Sequence, residues 1–403
     1  MADGMKVLLI VIDGLGDRPY GAKTPLQAAR KPLLDRLAAE GINGQCDTVA
    51  PGVRPGSAPG HLALLGYDPR TFYCGRGPFE AAGTGIRLKP GEVAWRCNFA
   101  TVKGGKVVDR RAGRIRETKP LERAILKEVD PGVPFEFRAG TGHRGALVFR
   151  GPGLGSEVSP TDPKKEGKPV AEARPLAPGA KRTADALNRF TKQAMEVLSG
   201  HPVNRRRVEG GLPPANALLC RSPGSVPEIP PFASLTGMRG AAIAATALIR
   251  GVADLCGLKF IQVPGVTGGV DSPIERKMAA ANRALKSHDF VLMNLKGADE
   301  AGHDKNWGAK KRYLSRASEA MEGLDLRDDL VLAVTGDHST PCKLGDHTGD
   351  PVPILIRGAP VRPDGVKRFD ELSCASGGLG RIRGVDVLPV LLDLAGRNEK
   401  FGE

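Results

Sequence analysis

Asp337 and His338 stand side by side directly after the apolar run Leu330–Val334, within the stretch Thr335–Pro353, and His347 follows nine residues after His338. Two imidazoles and a carboxylate crowded at the end of a strand have the donor chemistry of a metal site and make poor core material. Two other apolar runs end in the same kind of group: Met5–Ile12 ends at Asp13, and Phe290–Leu295 is followed by Asp299 and His303. The last two are four residues apart, so one helical turn aims both at the same point. In open α/β sheets, ligands bind outside the carboxyl ends of the strands. Three strand ends therefore offer six nitrogen and oxygen ligands, Asp13, Asp299, His303, Asp337, His338 and His347. That set is enough for two divalent cations, with positions left open for substrate, and such a pair is the usual clamp for moving a phosphoryl group. Taken alone, Asp13 also reads as a turn carboxylate, His303 as a helix-surface histidine and Asp337-His338 as a chance step. That bland reading has to hold independently at all three strand ends.

Ser57 is the candidate nucleophile. It opens a short helix after the glycine- and proline-rich turn in Val53–Gly66, VRPGSAPGHLALLG. A serine hydroxyl attacks poorly at neutral pH until a metal lowers its pKa, and a helix N-terminus beneath it would also hold a phosphate. The competing role is that of a plain N-cap. Arg110, Arg111, Arg114 and Arg144 are of the type that grips carboxylate or phosphate bidentately, although such a run is usually a solvated face. Gly140–Gly145 matches GxGxxG but lies between two strand-like runs with no helix after it, so its context excludes a dinucleotide site. GxxxxGK[ST] is absent from the sequence, which argues against a P-loop kinase.

The elements that must position these groups alternate between strand and helix. Met5–Ile12 is a near-continuous apolar strand, of the kind buried on both faces of a parallel sheet. A helix follows in which Thr24 is the cap, Pro25 suits the first turn, Gln27 completes a capping box and Gly41 closes the region, with Pro32 breaking or kinking it midway. From about Gly83 to Pro213 the character changes: Gly and Pro are frequent, Pro134–Arg138 and Ala146–Arg150 are β-like, and Thr161–Lys181 is a solvated loop. One amphipathic helix there, starting near Thr183 and stopped by Gly200, presents Leu187, Phe190, Ala194 and Leu198 at helical spacing. The alternation then resumes with a strand at Ala215–Cys220, a small-residue helix at Met238–Leu258, a strand at Lys259–Val263 and a helix opened by a capping box at Ser272, Pro273 and Glu275. The expected fold is α/β, a doubly wound, mostly parallel sheet formed by 1–85 and 214–403, interrupted by an α+β domain at 86–213.

Composition narrows the function classes. The 403 residues are 40% hydrophobic and 26% charged, which suffices for a sizeable core, and no apolar run reaches the ~18 residues of a membrane span. The N-terminal apolar run lacks a small-residue cleavage site and reads as a first strand, not a secretion signal. Seven scattered cysteines with no CxxC pair favour a reducing cytoplasm and argue against a thiolate zinc site. A net charge of +14 suits an anionic partner, but the basic residues are spread out and aromatics are only 4%, so nucleic acid is disfavoured. A small phosphorylated substrate accounts for the charge as well. The expected partners include no nucleic acid and no membrane, and the chain is compatible with a homo-oligomer.

Longer motifs carry a resemblance. IDGLGDRP, KTPLQAA, PGS…HLALLGYDP, GRGPFEA, RCNFATV, DRRAGRI, AGTGHR, DEAGHD, TGDHSTPC, HTGDPVP and GGLGRIRG run nearly end to end. With them the chain resembles the archaeal-type 2,3-bisphosphoglycerate-independent phosphoglycerate mutases, metalloenzymes of the alkaline phosphatase superfamily. The resemblance implies one metal among Asp13, Ser57, Asp337 and His338 and a second among Asp299, His303 and His347. Manganese is the usual ion, with zinc, cobalt or magnesium as substitutes. It also implies a glycolytic and gluconeogenic reaction in which Ser57 takes the phosphoryl group of 3-phosphoglycerate and returns it to the 2-hydroxyl, with no bisphosphoglycerate. The inserted domain would close as a lid, with His143, Arg144, Arg110, Arg111 and Arg114 gripping substrate. One departure stands out: members typically read Ser-Asp-Thr-Ala-His where this chain has Ser57-Ala58-Pro59-Gly60-His61. The missing carboxylate keeps open a related phosphotransferase, such as a proposed homoserine kinase, or a phosphohydrolase. A catalytically silent metal- or anion-binding protein is the reading from another class.

Overall fold

Every residue from Val7 to Ile12 is buried, as are all of Phe290–Leu295 and Leu330–Thr335, which is the pattern of strands covered on both faces. The computed structural model describes residues 4–19, 21–400 and 402. In chain order the first strands are β1 (Lys6–Ile12), β2 (Ile42–Asp47), β3 (Val93–Lys103), β4 (Lys106–Asp109), β5 (Phe135–Ala139), β6 (Arg144–Phe149) and β7 (Ala217–Ser225). Then come β8 (Gly240–Ile243), β9 (Lys259–Ile261), β10 (Phe290–Leu295), β11 (Leu330–Thr335), β12 (Val352–Arg357) and β13 (Gly380–Arg383). They form two sheets in two compact units, one comprising Met1–Tyr73 and Ile229–Glu403, the other Cys74–Glu228.

The first unit holds an eight-stranded sheet of order β13-β2-β12-β11-β1-β10-β8-β9. All neighbouring pairs are parallel except those of β12, which runs antiparallel to both β11 and β2. β1 lies between β10 and β11, with Val7 opposite Phe290 and Lys6 opposite Leu330. On one face Leu8, Ile10 and Ile12 pack with Leu33, Leu37, Met278 and Leu314 from helices. The alternate residues Val7, Leu9 and Val11 are equally buried and point to the opposite face, as a period of two requires. This is the mixed α/β architecture with a mostly parallel sheet that the alternation predicts. The capping box at Thr24 and Gln27 forms as read, and of the two effects expected of Pro32 it is the break that occurs, with Pro32 opening a separate helix, Pro32–Glu40.

The second unit is antiparallel, with strand order β4-β3-β6-β5 and β7 paired along β3. Trp95, Phe137 and Phe149 pack there with Phe190 of the helix Lys181–Ser199, whose buried face includes the expected Leu187, Ala194 and Leu198. The strand expected at Ala215–Cys220 thus belongs to this sheet and not to the parallel one. The helix Arg76–Gly83, from the GRGPFEA motif, packs on β3 and β7, so the units divide outside the expected 86–213 segment at both ends. Composition marked where Gly and Pro become dense, whereas packing sets the boundary. Met238–Leu258 is likewise not one helix but β8 followed by the helix Ala247–Leu255. Its small apolar residues suit a covered strand as well as a helix. No capping box forms at Ser272, whose hydroxyl instead accepts from the Thr267 N–H. No helix among the described residues is long and apolar enough to cross a membrane.

One close approach sets where the helix Gly297–His303 can lie. A Cβ on Gly302 would fall 2.5 Å from the Thr340 carbonyl oxygen and 2.8 Å from its Cγ2, so helix and loop touch only because residue 302 is glycine. Gly302→Ala is expected to destabilise the protein by about 1–3 kcal/mol, measured by urea unfolding; an unchanged midpoint would remove the constraint.

Candidate metal centre

Because β11, β1 and β10 are adjacent, their carboxyl ends open side by side. β1 delivers Asp13, β11 runs into Asp337 and His338, and β10 leads into the helix Gly297–His303, which carries Asp299 and His303 one turn apart. Asp13, Asp299, Asp337 and His338 are all at most 2% exposed. Gly14 makes the tight turn after β1 with a φ of 69°, and its N–H donates to Asp337 Oδ1 at 3.1 Å. The loop after β11 returns with His347.

Donor atoms converge in two overlapping clusters. Asp299 Oδ1 lies 3.4 Å from His303 Nε2 and 3.3 Å from His347 Nε2. His338 Nε2 lies 3.5 Å from Asp13 Oδ1 and 3.3 Å from Asp337 Oδ2. The His338 and His347 rings stack with centroids 3.6 Å apart, so the clusters adjoin. Candidate ligand atoms lie within 4.8 Å of one another in the groups Asp299-His303-His347, Asp13-Asp299-His338 and Asp13-His61-Asp337. All six residues named from the strand ends come together, and Asp299 takes part in both clusters where the sequence placed it in one.

The hydrogen bonds leave lone pairs that call for a cation. His347 Nδ1 donates to the Pro55 carbonyl at 2.7 Å and His303 Nδ1 to the Gly345 carbonyl at 3.0 Å. That fixes both tautomers and turns the two Nε2 atoms toward each other at 3.2 Å, beside a carboxylate. Asp337 Oδ2, fully buried, has no hydrogen-bond partner. Burial works against charge on His347, yet Asp299 and the Pro55 carbonyl hold its pKa above the ordinary value. Asp299 stays well below the usual carboxylate range despite a burial penalty, through His347 and Lys296. His338 is pushed down to about 3, chiefly by burial, so its Nε2 carries a free lone pair at neutral pH. A neutral His338 imidazole, an ionised Asp299 carboxylate and the orphaned buried Asp337 Oδ2 suit a divalent cation, and the proton that Asp299 favours on His347 would leave as a cation binds.

Ser57 is the first residue of the helix Ser57–Leu64, and the N-cap is Gly56. The serine hydroxyl is therefore not spent on capping; its Oγ is buried and lies 3.3 Å from His338 Nε2. His61 falls in one of the candidate groups, but its Nδ1 is engaged with the Ser57 carbonyl at 2.7 Å and its Nε2 with Asn294 at 3.1 Å. It braces the turn that presents Ser57.

Four contributors were not read from the sequence. Thr340 Oγ1 accepts from His338 Nδ1 at 3.0 Å and donates to Asp299 Oδ1 at 2.7 Å. Asn294 Nδ2 donates to Asp13 Oδ2 at 2.9 Å. Lys296 Nζ donates to Asp13 Oδ1 at 2.8 Å and to Asp299 Oδ2. Lys310, fully buried, donates to the carbonyls of Gly16 and Thr340 and to Asp17 Oδ2, tying together the loops after β1 and β11. Lys296 follows β10 directly, so the strand-end rule could have found it. Lys310 lies mid-helix, among residues that give no such cue.

The remaining candidates lie in the second unit. Arg110 is committed to Asp162 by a bidentate pair at 3.0 and 2.6 Å. Arg111 and Arg114 flank the turn after β4, where Arg114 has a φ of 56°. His143 and Arg144 close the β5–β6 hairpin, whose Gly142 has a φ of 63°, so the GxGxxG match is a hairpin turn. Burial first, then the charges of Arg144, Arg111 and Arg96, push His143 down to about 4, leaving it neutral at physiological pH.

Thr340→Val keeps the shape of the side chain and removes the hydroxyl that orients His338 and Asp299. We expect manganese affinity to fall about 10–100-fold, read by calorimetric titration; unchanged affinity would show that Thr340 does not set the ligand geometry.

A sequence profile of the family described as 2,3-bisphosphoglycerate-independent phosphoglycerate mutase matches residues 38–204. The chain is 53% identical to the protein so named from Methanoculleus marisnigri, over 98% of this chain and 99% of that one. It is 52% identical to the first such mutase of Archaeoglobus fulgidus, over 99% and 100%. Among solved structures it resembles a protein of Pyrococcus horikoshii, with a TM-score of 0.86, 37% identity and coverage of 99% and 100%. It also resembles the cofactor-independent phosphoglycerate mutase of Thermoplasma acidophilum, with a TM-score of 0.73, 41% identity and coverage of 97% and 100%. Half the residues in common over the whole length, on a shared fold, is more than three strand ends alone could establish: the chain belongs to the 2,3-bisphosphoglycerate-independent phosphoglycerate mutase family.

Proposed function

We propose that this chain interconverts 3-phosphoglycerate and 2-phosphoglycerate through a phosphoserine at Ser57. The observation that carries the reading is the buried Ser57 hydroxyl, free of any capping role, beside His338 and the converging carboxylates. Asp13, Ser57, Asp337 and His338 would hold one divalent cation and Asp299, His303 and His347 the other, manganese being the first expectation. Such cations, when bound, lower the serine pKa and neutralise phosphoryl oxygens.

Ser57 Oγ attacks the phosphorus of 3-phosphoglycerate, and the bond from phosphorus to the 3-oxygen breaks. Glycerate stays bound, its 2-hydroxyl attacks the phosphoserine, and the bond to Oγ breaks. Each step forms one P–O bond and breaks one, so no bisphosphoglycerate is consumed. The N-terminus of the helix Ser57–Leu64 offers its positive end to the phosphoryl group. The second unit would serve as a lid that keeps water from the phosphoserine, with His143, Arg144, Arg111 and Arg114 as gripping groups. Arg110, held by Asp162, has a structural part in that unit instead. The names of the full-length relatives favour the mutase over a homoserine kinase, and Ala58, although it removes a carboxylate next to Ser57, leaves every metal-ligand candidate in place.

Ser57→Ala should abolish 2-phosphoglycerate formation, by at least about 10³-fold, while manganese binding largely persists. Chelator should silence the wild type and added manganese restore it. Undiminished activity in Ser57→Ala would refute the nucleophile, and full activity in chelator would refute the metals. Arg110→Ala should lower the melting temperature with little change in KM; a large rise in KM without loss of stability would return Arg110 to the substrate.

A further inference from the structure

We infer that the Lys296 ammonium is a placeholder cation, a role that rests on the metal-centre reading above. It neutralises Asp13 and Asp299 while the centre holds no metal, and metal entry displaces it from Asp13.

Few carboxylate oxygens remain available to a metal. Asp13 Oδ2 is committed to Asn294 Nδ2 at 2.9 Å. Asp13 Oδ1 is the oxygen that faces His338 Nε2, 3.5 Å away, and it is also the one that Lys296 Nζ holds at 2.8 Å. A cation bound by Asp13 and His338 therefore needs the atom the ammonium occupies. An ammonium donates to such an oxygen at about 2.7–2.9 Å, whereas a divalent cation takes it at about 2.0–2.2 Å, so both draw on the same lone pairs. On Asp299 the ammonium takes Oδ2, leaving Oδ1 to His303 and His347. Competition is thus directed at one of the two clusters.

Charge points the same way. Asp13, Asp299 and Asp337 are buried together, and Lys296 is the lysine that contacts two of them. Without a cation among them the buried carboxylates would repel one another. With two divalent ions present the same ammonium opposes the incoming charge. Lys310 makes a useful contrast. Its side chain is 0% exposed and its three acceptors, Gly16 O, Asp17 Oδ2 and Thr340 O, include no candidate ligand, so it is a permanent tie. Lys296 is 21% exposed and both its acceptors are candidate ligands, so it can leave. Lys277, another buried lysine nearby, bonds to the Asn294 carbonyl at 2.7 Å and to no candidate ligand among the described residues.

The placeholder role and a purely structural ion pair predict opposite signs for metal affinity. Chelator-treated wild type, Lys296→Met and Lys296→Arg would be titrated with manganese chloride by calorimetry, with circular dichroism to confirm folding. Lys296→Met should bind manganese about tenfold or more tightly than wild type, because a competitor and a repelling charge are both gone. Its metal-free form should melt at a lower temperature, and Lys296→Arg should stay near wild type. If Lys296→Met does not fold without metal, Lys296→Gln, which keeps a neutral donor, carries the same comparison. Equal or weaker binding in the uncharged variant overturns the inference. A wild type that takes up no manganese overturns the metal reading itself, and is told apart because no variant comparison is then needed.

Discussion

Three carboxylates cannot stay buried within a few Å of one another unless positive charge is supplied among them. Asp13 and Asp299 meet that condition with Lys296, and Asp299 also through His347, whose pKa it raises. Much of the surrounding structure serves this one electrostatic demand. Asn294 and Thr340 satisfy carboxylate oxygens of Asp13 and Asp299, and backbone carbonyls of Pro55 and Gly345 dictate which imidazole nitrogen is left bare. Apart from the Asp13 oxygen that Lys296 holds, the donor atoms already face one another before a cation binds.

Strand order makes the crowding possible. β1 sits between β10 and β11, so residues 13, 299 and 337 come from distant parts of the chain yet end on neighbouring rows of one sheet. Right-handed crossovers and parallel pairing bring strand ends, and hence the loops that follow them, to a common edge. Glycine at 14 and 302 then allows backbone to approach side chain closely enough for the loops to interlock. Lys310 adds a buried bond to each of those loops from behind.

Patterns that repeat along the chain were legible in the sequence alone. The mostly apolar strands β1, β10 and β11, the amphipathic stripe of Leu187, Phe190, Ala194 and Leu198, and the ligands placed just after strands all follow from periodicity and one rule about sheet edges. What stayed hidden depends on contacts between distant segments. Ala217–Cys220, the apolar start of β7, carries no mark telling which sheet it joins, because such a run suits either; only its pairing with β3 decides. Ala241–Ile243 reads as helix because small residues fit both states. Lys310 and Thr340 are ordinary helix and loop residues by type, and acquire their parts from what the fold sets against them. The family resemblance supplied roles for Ser57 and the ligands. It could not show that Arg110 is taken up by Asp162, a partner that only the folded chain brings within reach.

The way the chain is interrupted bears on how the protein is made. Cys74–Glu228 is continuous in sequence and has its own aromatic core, so it holds everything it needs as soon as it leaves the ribosome. β1, by contrast, is synthesised before the strands it pairs with, which begin at residues 290 and 330. Its apolar stretch must wait, shielded by chaperones or by transient contacts, until most of the polypeptide exists, and such long-range pairing is intrinsically slow. A stop between residues 229 and 289 would release a chain with a finished second unit and an unpaired β1, a natural substrate for aggregation or for proteolytic clearance.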